Sequence, residues 1–355
     1  MKKTRVLSGL LVIVLILSML TTSVFAVDSS SKVVLSDVPF DYMTNMQTRS
    51  FDSYENLSTP NKKLVYSIPN GVAETLTTEA LLETILNNEY LTDLFAYDSF
   101  VDAVKSREEQ FRIVEFLNRS DSSIVLNSFY SKYSKLLKEV ENKTGFTIDD
   151  VVSNTNISDL SNDFVTNYIK VSFITKLKDN YSNILYNLSN SGISSCTMST
   201  GYVYTKGGNA VYCYFNRGWE NSTTSESEMN FYKSLYKVQY SVTEVAGISP
   251  AYNCHSYAWH SNNVSTNNVW IETPSSIQLY LNEATSGTQN PQIGITKVVY
   301  YKDGAVTHSS KVYGIKSNGA VASVISKWGN NAVFIHAIEE CPYYYDTEPI
   351  AYRNY

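Results

Sequence analysis

The sequence predicts an α+β protein in which a helical bundle precedes an antiparallel sheet. Between residues 77 and 190, apolar residues recur at spacings of three and four, the period of an amphipathic helix. After about residue 195, short Tyr- and Val-rich runs alternate with glycine-containing turns, which is typical of strands joined by hairpins. No proline occurs from Asn70 to Ser249. These observations together predict two structural regions that meet near residue 195.

The first segment, residues 1–26, is typical of a secretory signal peptide. Lys2, Lys3 and Arg5 precede the apolar run of residues 6–20, and a small residue, Ala26, ends the segment at a suitable cleavage position. The apolar run is short for a membrane-spanning helix, which disfavours a retained anchor. We therefore expect an exported protein, secreted or extracellular, with the cell wall as a candidate location.

The next two segments are a polar leader or linker at residues 27–70 and a helical domain at residues 71–190. The leader is rich in Ser, Asp and Asn and has no hydrophobic period. In the helical domain, Thr78 is a candidate N-cap, and an apolar stripe follows from Leu81 to Leu86. Later stripes repeat this spacing, which predicts a small bundle. The domain contains no His or Cys, so a spacer or targeting role is expected.

Residues 195–355 carry the predicted sheet. Tyr- and Val-rich runs on either side of Gly207-Gly208 predict a hairpin, and a helix is expected from Ser225. Pro274, with Thr273 as cap, begins a second helix. The remaining runs predict a meander that turns at Asp303-Gly304 and at Asn318-Gly319 and continues into AVFIH.

The charge pattern excludes one class of partner. The chain has a formal net charge of −6 and no basic stripe, which argues against binding to nucleic acid. Removal of the signal peptide takes away three cations and makes the chain more acidic. The 28 tyrosines are compatible with contacts to sugars or peptides.

The stretch YNCHSYAWH, residues 252–260, allows three interpretations: a metal site, a cysteine nucleophile, or core packing. A structural zinc site is disfavoured because a C-H-x(4)-H run lacks paired ligand spacing. Cys254 falls in the first turn of a predicted helix, where free N–H groups and the helix dipole favour the thiolate. His255 is a poor base for its neighbour because adjacent helical residues point to different sides. His308, on a strand between two hairpin turns, is the better candidate.

The set NCHSYAW, THSSKV and SKWG resembles the papain-like cysteine peptidase superfamily, and most closely the secreted NlpC-type cell-wall peptidases and amidases of Gram-positive bacteria. The resemblance covers roughly residues 195–345. It implies a papain-like domain with Cys254 as nucleophile and His308 as general base. Ser326 takes the place of the residue that orients the base, and His336 is a second candidate for that role. The same likeness suggests Asn253, Trp259 and Trp328 as substrate-binding or groove-wall positions.

The chain departs from the family pattern at four places. The strand before His308 reads GITKVVYY and lacks the Asp of the family's G-D-x-V stretch, and Ser326 is a weaker orienting group than Asn, Asp or His. Asn253 stands where NlpC-type enzymes usually have Asp, and Ile248 stands where a papain-type enzyme has Gln. The resemblance implies cleavage of a peptide or amide bond, with bacterial peptidoglycan as a candidate substrate, without cofactor or metal. The alternative is a catalytically degenerate domain that serves as a cell-surface binding or adhesion protein.

The four cysteines distinguish these possibilities. An even count in an exported protein permits two disulfides. Their spacing favours Cys196–Cys213, and a purely structural interpretation would pair Cys254 with Cys341. A nucleophilic Cys254 must instead be free.

Overall fold

The structure is a computed structural model of the 355-residue chain. It describes residues 62–63, 66–68, 70–145, 147, 160–189, 199–222, 224–271, 274–287, 290–345 and 348–355. The predicted signal peptide, most of the predicted leader and Cys196 lie outside these residues. In the described part, no helix has the length and apolar character that a membrane crossing requires.

Helices dominate the first half of the described chain. The second helix begins one residue before the predicted position, because the Thr77 side chain accepts a hydrogen bond from the N–H of Ala80. Its buried residues form the predicted stripe from Leu81 to Leu86. The helices of this half are α1 (Asn70–Ala73), α2 (Thr78–Leu86), α3 (Phe100–Ser106), α4 (Glu108–Phe111), α5 (Ile113–Leu117), α6 (Ser122–Thr144) and α7 (Asn162–Ser189), with a 3-10 helix at Leu91–Ala96 between α2 and α3.

The second half of the described chain has two antiparallel sheets, three longer helical elements and two short 3-10 helices, Trp219–Asn221 and Ile338–Glu340. The strands are β1 (Ser199–Tyr204), β2 (Ala210–Phe215), β3 (Thr243–Ala246), β4 (Val269–Trp270), β5 (Thr285–Ser286), β6 (Thr296–Lys302), β7 (Ala305–Ile315), β8 (Val321–Lys327), β9 (Val333–His336) and β10 (Ile350–Asn354). Helix α8 (Glu226–Gln239), a short π-helix (Ser256–His260) and helix α9 (Pro274–Glu283) lie between strands. The small sheet has the order β1-β2-β4, and the large sheet has the order β3-β9-β8-β7-β6-β10-β5.

The predicted hairpins are present. Asp303 and Gly304 both have positive φ, as a two-residue hairpin turn requires, and they join β6 to β7. The connection from β7 to β8 is longer than the two-residue turn expected at Asn318-Gly319. It spans residues 316–320 and is closed by a hydrogen bond from the N–H of Lys316 to the carbonyl of Ala320. The short edge strand β3 and the C-terminal strand β10 were not predicted. Both are placed by pairing across the sheet, which local pattern does not reveal.

The large sheet is covered on both faces. On β6, Val298 and Tyr300 point to one side and pack with the helices of the first half, whereas Val299 points to the other. On that second side, Val299 packs with the small sheet, the π-helix and α9. The result is a mixed helix and sheet protein, as the predicted α+β class requires.

The helical half and the sheet share one core. Residues of the helices belong to the same buried cluster as Trp328, Cys341 and Tyr343 from the sheet region. The end of the predicted leader also packs inward, since the ammonium of Lys63 lies 3.0 Å from the Asp93 carboxylate with both side chains buried. The expected helical domain is therefore not separated from the sheet by a solvated boundary.

Candidate functional site

Asn253 fixes the start of the helix that carries Cys254. Its Oδ1 accepts hydrogen bonds from the backbone N–H groups of Ser256 and Ile271, at 3.1 and 3.3 Å. The N–H of Tyr257 bonds to the Asn253 carbonyl at 3.0 Å, which closes the first helical turn. Asn253 thus caps the helical turn that begins at Cys254 and His255 and continues into the π-helix, and Cys254 occupies the first position of that turn, as the sequence predicts. Asn253 is fully buried, so its proposed contact with substrate requires the site to open.

The thiol of Cys254 is enclosed and protonated. Burial raises its pKa well above the ordinary value, and the nearby Asp98 carboxylate raises it further. Hydrogen bonds from the backbone N–H groups of Ser309 and His255 to the sulfur act in the opposite direction. The sulfur therefore lies against the backbone of strand β7 at Ser309, the residue that directly follows the predicted base.

His308 is a buried imidazole with unused hydrogen-bonding capacity. Neither Nδ1 nor Nε2 has a hydrogen-bond partner among the described residues, although both atoms are inaccessible to solvent. The ring stacks on Tyr343, with centroids 4.1 Å apart and planes 12° from parallel. Burial lowers the pKa of His308 well below its ordinary value, and the imidazoles of His255 and His336 lower it further. The structure therefore holds the His308 imidazole and the Cys254 thiol each in its neutral form rather than as an ion pair.

Ser326 and His336 do not orient His308 in this structure. They bond to each other, with Ser326 Oγ 2.8 Å from His336 Nε2, and the Trp328 indole N–H donates to Ser326 Oγ at 3.1 Å. The Nδ1 of His336 lies 2.7 Å from the Ala337 carbonyl and donates to it, so Nε2 is the acceptor. Burial lowers the pKa of His336 to about 4. These two residues do not take the expected orienting role here, because their polar side-chain atoms already form hydrogen bonds with each other, with Trp328 and with the Ala337 carbonyl.

Trp259 and His255 attach the π-helix to β7. The hydroxyl of Ser309 accepts from the Trp259 indole N–H at 2.9 Å and lies 3.0 Å from His255 Nδ1, to which it donates. Burial lowers the pKa of His255 to about 4, which keeps this ring neutral. Trp259 and Trp328, expected at the groove wall, are both buried and act in the structure as packing residues.

Residues of the helical half complete the site, and the sequence analysis missed them. Asp98 Oδ2 accepts from the Asn253 amide at 3.1 Å, and its buried Oδ1 has no hydrogen-bond partner among the residues that the structure describes. Burial raises the pKa of Asp98 to about 6, although Asn253, Arg217 and Lys327 oppose this rise. The missed residue Lys327 donates its buried ammonium to three backbone carbonyls, including that of Ser249 at 2.8 Å.

The described cysteines are free thiols. Cys213, Cys254 and Cys341 are all buried and unbridged, so the structural pairing of Cys254 with Cys341 is not formed. Cys213 is a free thiol and does not form the disulfide that its spacing to Cys196 predicts. Its Sγ lies 3.7 Å from the Gly201 carbonyl. Within the described ranges, no group of three or more His, Cys, Asp or Glu side chains has the arrangement of a metal site.

No protein-family model, curated protein or solved structure matches this chain.

Proposed function

We propose that the protein is an exported cysteine amidohydrolase that cleaves a peptide or amide bond, with bacterial cell-wall peptidoglycan as the first candidate substrate. Cys254 is the nucleophile and His308 is the general base. The proposal combines the resemblance to NlpC-type peptidases with the hydrogen bond from the Ser309 backbone N–H to the Cys254 sulfur, since Ser309 directly follows His308.

The observation that carries the proposal is the unsatisfied imidazole of His308. Buried polar groups in folded proteins are nearly always hydrogen-bonded, and a group that is not needs an explanation. A structural histidine would resemble His336, whose two ring nitrogens are both used. His308 uses neither nitrogen and lies next in sequence to the residue whose N–H contacts the Cys254 sulfur. A base that is idle between turnovers accounts for both features.

The reaction requires only groups in this part of the molecule. His308 takes the proton of the Cys254 thiol as the sulfur attacks the carbonyl carbon, and it then delivers that proton to the leaving amine. The resulting thioester is hydrolysed by water with His308 again as base. Backbone N–H groups at the first turn of the helix, including that of Cys254, are the candidate donors to the oxyanion.

A second candidate function is surface binding by a domain that has lost activity. The buried thiol with a raised pKa favours it, since the attacking species in cysteine catalysis is the thiolate. Under this interpretation, the fold remains and peptidoglycan is bound but not cut.

The test is hydrolysis of purified Gram-positive peptidoglycan, followed as the release of new amino groups. We expect Cys254→Ala and His308→Ala to lower the rate by at least roughly a thousandfold. The matched control is Cys213→Ala, which removes another buried free thiol outside the site and is expected to keep the rate. Hydrolysis that survives in Cys254→Ala would refute the proposal, and binding without hydrolysis by the unaltered protein would favour the second candidate.

A further inference from the structure

A segment of the helical half, Ala96–Asp98, lies directly on the Cys254–His308 site. The hydroxyl of Tyr343 donates to the Ala96 carbonyl at 2.7 Å, and the rings of Tyr97 and Tyr343 have centroids 4.4 Å apart. Tyr343 is also the residue that stacks on His308. One aromatic ring therefore connects the covering segment to the proposed base.

The fit between this segment and the SKWG loop is close. A Cβ atom at Gly329 would lie 2.6 Å from the carbonyl oxygen of Ala96 and 2.8 Å from that of Tyr97. Contacts this short require the backbone of the segment to lie in van der Waals contact with the loop. The side chain of a substrate cannot pass between them while the segment is in place.

The segment also opposes ionisation of the thiol. Its Asp98 bonds to the cap residue Asn253 at 3.1 Å and brings a carboxylate towards the sulfur of Cys254. The charged groups that face Asp98 are Arg217 and Lys327 from the sheet half and Asp102 from α3. The segment thus blocks both access to the nucleophile and its conversion into the attacking form.

We propose that Ala96–Asp98 is an autoinhibitory segment whose outward movement exposes Cys254 and His308 to substrate. This inference rests on the proposed function and adds its regulation. The movement has to release Ala96 and Tyr97 from the core that the helical half shares with the sheet, and it breaks the bond of 2.6 Å between the Tyr97 and Tyr345 hydroxyls. The segment is bounded by the 3-10 helix that ends at Ala96 and by the N-cap of α3 at Ser99.

The anchor of the segment on Tyr343 can be removed without loss of the ring. Tyr343→Phe keeps the ring on His308 but deletes the hydrogen bond to Ala96. One lost hydrogen bond is expected to favour the open state by roughly two- to tenfold. Tyr232→Phe supplies the control: it keeps the ring that stacks on Phe95, directly before the segment, and deletes a hydrogen bond of 3.0 Å to Ser172 of α7 rather than to the segment.

The experiment is alkylation of the full-length folded protein with iodoacetamide, with each cysteine quantified by mass spectrometry. We expect Cys254 to react roughly two- to tenfold faster in Tyr343→Phe than in the unaltered protein. Cys213, buried in the small sheet, reports global unfolding and is expected to stay unchanged. Equal rates in Tyr343→Phe and Tyr232→Phe, or acceleration of Cys213 together with Cys254, would overturn the inference.

The same samples separate this inference from the proposed function. Faster alkylation of Cys254 without peptidoglycan hydrolysis by any variant keeps the covering role of the segment and refutes the enzyme. Hydrolysis that depends on Cys254, combined with alkylation that Tyr343→Phe does not change, keeps the enzyme and refutes the autoinhibitory segment.

Discussion

Gly329 provides the most demanding test of how the helical half sits on the site. Its φ is +52°, and a Cβ there would meet the Ala96 carbonyl at 2.6 Å. Ordinary contact begins near 3.4 Å, so Gly329→Ala must displace the Ala96–Asp98 segment or the loop by about 0.8 Å. The left-handed backbone costs an alanine about 1–2 kcal/mol, and overpacking adds about 1–3 kcal/mol. We expect a total loss of about 2–5 kcal/mol in the free energy of unfolding.

The matched control for this substitution is Gly319→Ala. Gly319 also has a left-handed φ, +83°, but nothing lies within 4 Å of the Cβ position. Only the backbone term of about 1–2 kcal/mol applies to it. Urea denaturation of both variants measures the difference, which we expect to be about 1–3 kcal/mol larger for Gly329→Ala. Equal losses would mean that the segment does not lie against this loop as described.

Three further predictions concern stability. Because burial raises the pKa of Asp98 from 3.8 to about 6, its protonated form is favoured on folding, and stability falls as pH rises from about 4 to about 6. Asp98→Asn removes this loss, so its free energy of unfolding is expected to exceed that of the unaltered protein by about 1–3 kcal/mol at pH 7 and to equal it at pH 4. The same difference at both pH values would contradict the raised pKa of Asp98. Lys327→Met leaves three backbone carbonyls without their buried donor and is expected to cost about 3 kcal/mol, with a loss below about 1 kcal/mol as the contrary result. Ser225→Ala breaks the capping box with Glu228 at the start of α8 and is expected to cost about 1 kcal/mol in thermal denaturation, against little change for the neighbouring Ser227→Ala.

Local signals in the sequence predict much of the second half. The Asn253 cap, the helix from Pro274 and the turn at Asp303-Gly304 each depend on residues within a few positions, and the structure contains all three. The pairing of Cys254 with His308 stays a prediction, and local signals do not indicate the protonation state in which either residue is held.

The remaining features of the site depend on contacts between distant parts of the chain. Asp98 meets Asn253 across 155 positions, and Tyr343 meets Ala96 across 247. The sequence around Asp98 contains no motif that marks a functional site, so no local pattern predicts that this carboxylate lies near the cysteine. For Ser326 and His336 the sequence predicts a contact that the structure does not contain. Their positions on adjacent strands suggest that they orient His308, but the two side chains bond to each other instead.

The central claim is that the imidazole of His308 acts on the thiol of Cys254 once the site opens. The most direct measurement is the pH profile of Cys254 alkylation in Tyr343→Phe, with and without His308→Gln. With the imidazole present, we predict an inflection below the value of about 8.5 that a free cysteine has, and with glutamine, an inflection at or above that value. Superimposable profiles would show that His308 does not act on this thiol, and the proposed mechanism would then be wrong.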